Sequence, residues 1–223
     1  MPSKSPSLYE HLNLPHQVMG QRMVETFSGD DIDYNIWGAG GDFGFYLDDE
    51  VDGGLLMKWY QATAVAGKEG ILSTSDNSAG DHRLFSPTNF VWIANCKWTG
   101  TRTSGVSRFG IKRDKGGGFN GGEVAGATMG SDNTKIAAYT SSATSGEYQS
   151  VSSTLDVDNV YHNFKGSRSG GAYTLLIDGT TSVTTTQTSS HLPVNALQPF
   201  FYCYNNDTTH HTLNCNYFEA YNT

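Results

Sequence analysis

The sequence predicts an all-β chain folded as a two-sheet antiparallel β-sandwich with a short N-terminal arm. Three observations carry this. The last third is a succession of strand-length aromatic and β-branched runs: 160–164, 171–179, 199–204 and 216–221. These are separated by polar turns, including the pair Asp178-Gly179, which suits a tight hairpin. The composition, with 26 Gly, 12 Tyr and 11 Phe, is that of short strands joined by close turns. A chain of 223 residues is long enough to bury a substantial core in one sandwich.

The elements follow in order. Residues 1–20 hold three prolines (Pro2, Pro6, Pro15) and read as an arm, and 21–223 as a single domain. Met23–Phe27 is a first strand, 28–33 an acidic turn, and 34–37 a short apolar return. In 42–47, Phe43, Phe45 and Leu47 share one face of an extended segment. Leu55–Tyr60 is a further strand. Residues 62–70 are open between helix and irregular structure, since the alanines favour helix and the two glycines do not. Phe90–Trp98 carries apolar residues on both parities, which predicts a central strand covered on both faces. Ser107–Arg113 is amphipathic, with Phe109 and Ile111 on one side and Arg108 and Lys112 on the other. Five glycines in 116–122 mark a loop. Strands are then expected at 134–139, 147–152, 160–164 and 172–177, an extended Thr-rich segment at 182–188, and two aromatic strands to the end.

The C-terminal run YHNFKGSRSGGAYTLLIDG, the strand LQPFFYCYNND, the terminal LNCNYFEAY and the opening VETFSGDDIDYNIW together resemble the concanavalin A-like lectin/glucanase superfamily, in its LamG-like jelly-roll form. The resemblance covers most of 22–221 and is thinnest over 42–90. It implies a jelly roll whose last strand lies beside the first, and a role in carbohydrate binding or cleavage. Glucanases of that superfamily carry an alternating Glu-x-Asp-x-(x)-Glu strand. No such run is present: Glu123 and Glu147 stand alone, and Asp156 and Asp158 alternate without a nearby Glu. Retaining hydrolysis needs two carboxylates roughly 5–5.5 Å apart, so no catalytic residue is assigned. Tyr139, Tyr161 and His162 are the groups available to a lyase-type reaction.

Sugar recognition stacks rings on aromatic faces and fixes hydroxyls with a few polar groups. On strands, Trp59, Tyr60, Trp98, Arg108, Lys112 and Tyr139 are the ligand-binding candidates, while Trp37 and Trp92 read as core. The acidic cluster Asp48, Asp49 and Asp52, beside Glu50, is the candidate for a structural calcium, since hard oxygen ligands suit that ion. No cofactor is required by any motif. A net charge of −8 argues against nucleic acid as a partner, and no apolar stretch is long enough for membrane insertion. The expected partners are carbohydrate or other subunits of an assembly. No apolar leader follows Met1, which favours release with a virus particle over secretion; the expected location is extracellular or the virion surface, with a cytoplasmic one left open. The three cysteines, Cys96, Cys203 and Cys215, read as buried thiols, with a Cys203–Cys215 bridge as the alternative.

Overall fold

The structure is a computed structural model and describes residues 22–27, 32–33, 36–41, 43–47, 54–59, 68–74, 84–99, 105–113, 123–130, 133–142, 148–186, 191–205 and 212–223. The strands are β1 (Arg22–Glu25), β2 (Gly38–Gly41), β3 (Phe43–Leu47), β4 (Leu55–Trp59), β5 (Lys68–Ser73), β6 (Asn89–Thr99), β7 (Gly105–Arg113), β8 (Val124–Gly130), β9 (Asn133–Ser141), β10 (Tyr148–Asp156), β11 (His162–Ser169), β12 (Ala172–Ile177), β13 (Thr181–Thr186), β14 (Leu197–Asn205) and β15 (Thr212–Asn222). They form two antiparallel sheets. One has the order β13-β12-β11-β6-β15-β4-β3, with β1 also on β15; the other has the order β10-β9-β8-β7-β14-β5-β2. The last strand pairs with the first, Arg22 opposite Tyr221 and Glu25 opposite Phe218.

The core between the sheets follows from strand alternation. On β6 the even-numbered residues Phe90, Trp92, Ala94, Cys96 and Trp98 are buried, while Ile93, Asn95 and Lys97 are half-buried on the outer face. This corrects the expectation of a strand covered on both faces: β6 is central in its sheet, but only one side is fully enclosed. Across the interior, Phe109 of β7 meets the Trp92 edge with centroids 5.9 Å apart and Phe164 of β11 at 4.9 Å. Phe27, Trp37 and Phe201 form a second aromatic group, each pair 5.6 Å apart. Trp37 and Trp92 are core residues, as their sequence context suggests.

Three strands were not foreseen. β2 is a glycine-rich edge, and β5 emerges from the end of the ambiguous 62–70 segment. β8 consists mostly of small residues (VAGATMG), every one buried. The hairpin at Asp178-Gly179 is as expected: both residues have positive φ, 51° and 71°, in a tight three-residue connection between the register partners Ile177 and Thr181.

All three cysteines are buried free thiols. Cys96 and Cys215 are register partners on β6 and β15, whereas Cys203 lies on the opposite sheet. The Cys203–Cys215 bridge is therefore replaced by a three-thiol region inside the sandwich. Burial pushes Cys203 up to about 12 and Cys96 well above the usual thiol range.

Candidate functional site

The outer face of the seven-stranded sheet carries an apolar and charged surface of its own. Even-numbered residues of β14 and β7 point away from the core, and Val106, Val124, Tyr139, Phe200 and Tyr202 form a second cluster there, with Ile71 and Tyr204 against it. Register places Ile71, Tyr202, Arg108 and Thr128 side by side on β5, β14, β7 and β8. One step along, Glu69 faces Tyr204. In the other direction Ser73, Phe200, Gly110, Gly126 and Tyr139 share a row.

Two side-chain contacts tie these rows together. The Tyr202 hydroxyl donates to Glu69 Oε2 at 2.8 Å. Arg108 sets its guanidinium 4.5 Å from the centroid of the Tyr139 ring, which lies two strands away on β9. Burial, then the hydrogen bond and charge of Glu69, push the Tyr202 phenol far above its ordinary range, while Arg108 pulls weakly the other way. The phenol therefore stays protonated and serves as a donor. The result is a band of Glu69, Tyr202, Arg108 and Tyr139 over β5, β14, β7, β8 and β9, about 19 Å wide at the usual strand spacing.

Of the sequence candidates, Arg108, Lys112 and Tyr139 come together on this face, Arg108 and Lys112 half-buried and Tyr139 only 6 % exposed, so its ring is chiefly the support of the Arg108 guanidinium. Trp98 does not: the alternation of β6 turns it inward, where it is 1 % exposed within the core, so it is removed as a ligand contact. Trp59 ends β4 on the other sheet as the register partner of Phe43. Tyr60 and the calcium candidates Asp48, Asp49 and Asp52 lie outside the described residues, as do residues 1–20 and the glycine-rich 116–122. Glu69, Tyr202 and Tyr204 were not singled out from the sequence. Their signal was the parity of PFFYCY, with aromatics at 200, 202 and 204, but apolar residues on the other parity hid which side faced outward.

The lyase-type trio is split. Tyr139 belongs to the seven-stranded sheet. Tyr161 carries Lys97 over its ring at 4.6 Å, and His162 opens β11 in the eight-stranded sheet. His162 is held between two carboxylates, Nδ1 at 2.6 Å from Asp178 and Nε2 at 3.0 Å from Asp158. Asp178 also accepts the Asn163 N–H at 2.8 Å. Asp156 instead pairs with Lys135 at 3.0 Å. The His162 clamp staples the approach to β11 onto the β12–β13 turn. Burial opposes the imidazolium charge, but hydrogen bonds and charge from Asp178 and Asp158 outweigh it, so the His162 pKa is raised; burial also opposes ionisation of Asp178, whose pKa is lowered on balance by His162 and the Asn163 N–H.

The pH dependence follows from those directions. The His162 contribution is complete below the ordinary histidine value, about 6.5, and is lost as pH rises through the raised value. That of Asp178 is complete above the ordinary carboxylate value and is lost as pH falls through the lowered one. His162→Gln should therefore lower the melting temperature clearly at about pH 5.5 and much less at about pH 8.5. An equal loss at both would mean that the charged form of the ring does not hold the clamp.

Neither a protein-family model nor a curated protein matches the sequence. Solved structures do match by shape. A Bacteroides ovatus mixed-linkage glucan hydrolase of glycoside hydrolase family 16, in complex with a product, superposes with TM-score 0.63 over 88 % of this chain and 98 % of that chain, at 12 % identity. This is the concanavalin A-like jelly-roll fold. The carbohydrate recognition domain of Emp47p shares it, with TM-score 0.58, 11 % identity and coverage of 90 % and 94 %. Alginate lyase A1-II′ does so with TM-score 0.55, 9 % identity and coverage of 86 % and 96 %. The concanavalin A-like fold seen here is thus shared with carbohydrate-active enzymes and with lectins. Among the described residues no helix is long and apolar enough to cross a membrane.

Proposed function

We propose that this protein binds a polysaccharide chain across the outer face of its seven-stranded sheet. The observation that carries the reading is that this face sets the half-buried Tyr204, Arg108 and Lys112 and the exposed Glu69 on rigid strands, over the nearly buried rings of Tyr139 and Tyr202. Rings meet the apolar faces of sugars, and the polar groups take their hydroxyls. Glycan-bound and glycan-recognising proteins with this fold support it.

Chain cleavage is the second reading, favoured by Tyr204. The residue is half-buried on this face, and its register partner Glu69 carries the carboxylate that accepts the Tyr202 hydroxyl, so a second phenol and a carboxylate stand in one row, the groups a proton transfer to or from a sugar would use. Among the described residues of β5, β14, β7, β8 and β9, Glu69 is the one carboxylate, so these strands do not supply the acid pair of a retaining glycosidase. The assembly role expected of the arm rests on residues 1–20 and is not part of this proposal.

The test is a panel of soluble polysaccharides scored for retention in affinity electrophoresis and, separately, for new chain ends. Tyr204→Ala should weaken retention about tenfold, the loss of roughly one stacking contact, while melting stays close to the parent. Retention of no glycan at all would refute the binding reading. New chain ends that vanish in Tyr204→Phe would establish cleavage.

A further inference from the structure

We propose that Cys96 and Cys215 are a disulfide site, bridged by exchange with a low-molecular-weight disulfide such as oxidised glutathione as the chain folds. The fold brings together what the sequence keeps far apart. The two residues are direct register partners on the neighbouring antiparallel strands β6 and β15, and both side chains point into the core, where each is fully buried. Opposed residues of an antiparallel pair have Cα atoms about 4.5 or 5.5 Å apart, according to whether the pair exchanges backbone hydrogen bonds. A disulfide spans about 4.4–6.8 Å between Cα atoms, so either type of pair accepts one without moving a strand.

The thiols already face each other. Cys215 donates its S–H to the Tyr217 carbonyl at 3.2 Å, which leaves its sulfur to accept from Cys96, its hydrogen-bond partner. The register shifts between Cys215 and Tyr217, so the small approach of the two sulfurs falls on backbone that has already left the regular pleat. Cys203 stands outside the pair. It lies on β14 of the facing sheet, 3.2 Å from the Ser107 hydroxyl. Stacked sheets pack about 10 Å apart, beyond the reach of a disulfide.

The exchange balances. The thiolate of one cysteine attacks the glutathione disulfide and releases one glutathione; the thiolate of the other attacks the mixed disulfide and releases the second. Two protein thiols are oxidised, one glutathione disulfide is reduced, and the two thiol protons end on the released glutathiones. Attack requires a thiolate. In the closed sandwich burial holds the Cys96 thiol protonated and keeps solvent from both sulfurs, so the step belongs to folding, before β15 settles beside β6. The bridge closes a long loop that contains β7 to β10 and β14, five of the seven strands of the sheet that carries the candidate site. Its main effect is to restrict the unfolded chain.

The experiment synthesises the full chain cell-free in an oxidising and in a reducing glutathione buffer, then alkylates free thiols under denaturation before non-reducing peptide mapping. The oxidising buffer should give a linked Cys96–Cys215 peptide, with Cys203 alkylated. The melting temperature should stand about 5–10 °C above that of the reduced protein. This difference should persist in Cys203→Ala and vanish in Cys96→Ala and in Cys215→Ala; the peptide map of the unsubstituted chain decides the pairing even where a variant does not fold. Reduced protein that has already folded should gain no bridge when oxidised glutathione is added. Three alkylated cysteines after synthesis in the oxidising buffer overturn the proposal, and so does a bridge to Cys203. A Cys96–Cys215 bridge that lowers the melting temperature overturns the fit of the bond to this register. Rapid closure in the folded protein overturns the assignment of the step to folding.

Discussion

Gly166→Ala is expected to destabilise the protein by about 3 kcal/mol, the upper end of the cost of overpacking a core. Gly166 sits on β11 directly opposite Trp92 of β6, on the side facing the interior. A Cβ there would stand 2.2 Å from Cε2 and from Nε1 of the Trp92 indole, well inside contact distance. The indole has no room to retreat. Trp92 is fully buried, stacked on Phe218 with centroids 6.4 Å apart and edged by Phe109. The denaturant midpoint should fall with little change in the dependence on denaturant, because the surface exposed on unfolding is unchanged. Gly171→Ala is the control: a Cβ at that position meets nothing within 4 Å, and the change should stay within about 0.5 kcal/mol. Pairing Gly166→Ala with Trp92→Phe should recover part of the loss, because the smaller ring vacates the space the methyl needs; the double-mutant cycle should show coupling between the two sites. If Gly166→Ala behaves like its control, Trp92 is not where the structure puts it.

The sheet that carries the candidate site was legible where one face of a strand is apolar and the other charged. β7 is the clearest case: Phe109 and Ile111 against Arg108 and Lys112 predicted the burial that the structure shows. The β12–β13 hairpin was legible through its turn at Asp178-Gly179, and β15 beside β1 through the resemblance of the terminal run. β8 and β5 were not, because alanine and glycine, which dominate β8 and run into β5, report neither period nor face; β8 is wholly buried with almost no large side chain. The site was half legible for a related reason. Arg108, Lys112 and Tyr139 were chosen by chemistry and proved to share a face, yet Trp98 was chosen by the same rule and is core. Chemistry alone does not tell which parity of a strand faces the interior. On β14 both parities are apolar, since Phe201 and Cys203 fill the core while Phe200 and Tyr202 build the outer cluster. That second cluster is what hid Tyr202, and with it the Glu69 contact on β5.

Glu123 is the other position where a large effect is expected, and here the effect separates structure from chemistry. From the sequence it is an isolated acid with no partner carboxylate in its run. In the fold it is fully buried at the start of β8, with Oε2 accepting the backbone N–H groups of Val194 and Asn195 at 3.1 and 2.7 Å and Oε1 accepting Asn195 Nδ2 at 2.6 Å. Arg168, on β11 of the opposite sheet, grips the same segment from the other side, donating to the carbonyls of Pro193 and Pro87 at 2.5 and 2.6 Å. The segment 191–196 that leads into β14 is therefore held by a buried acid and a buried base, one from each sheet. Glu123→Ala strands three donors and leaves the Arg168 charge without its counterpart, so a loss of about 3–5 kcal/mol is expected. Glu123→Gln keeps the shape but turns an amide NH2 towards a backbone donor, and should cost roughly 2 kcal/mol. Both should open 191–196 to limited proteolysis before the sheets themselves unfold. Any glycan retention should survive in the fraction of Glu123→Gln that remains folded, because Glu123 is not among the side chains of the binding face. A Glu123→Gln protein of parental stability that has lost retention would reverse that assignment and place the carboxylate in the site.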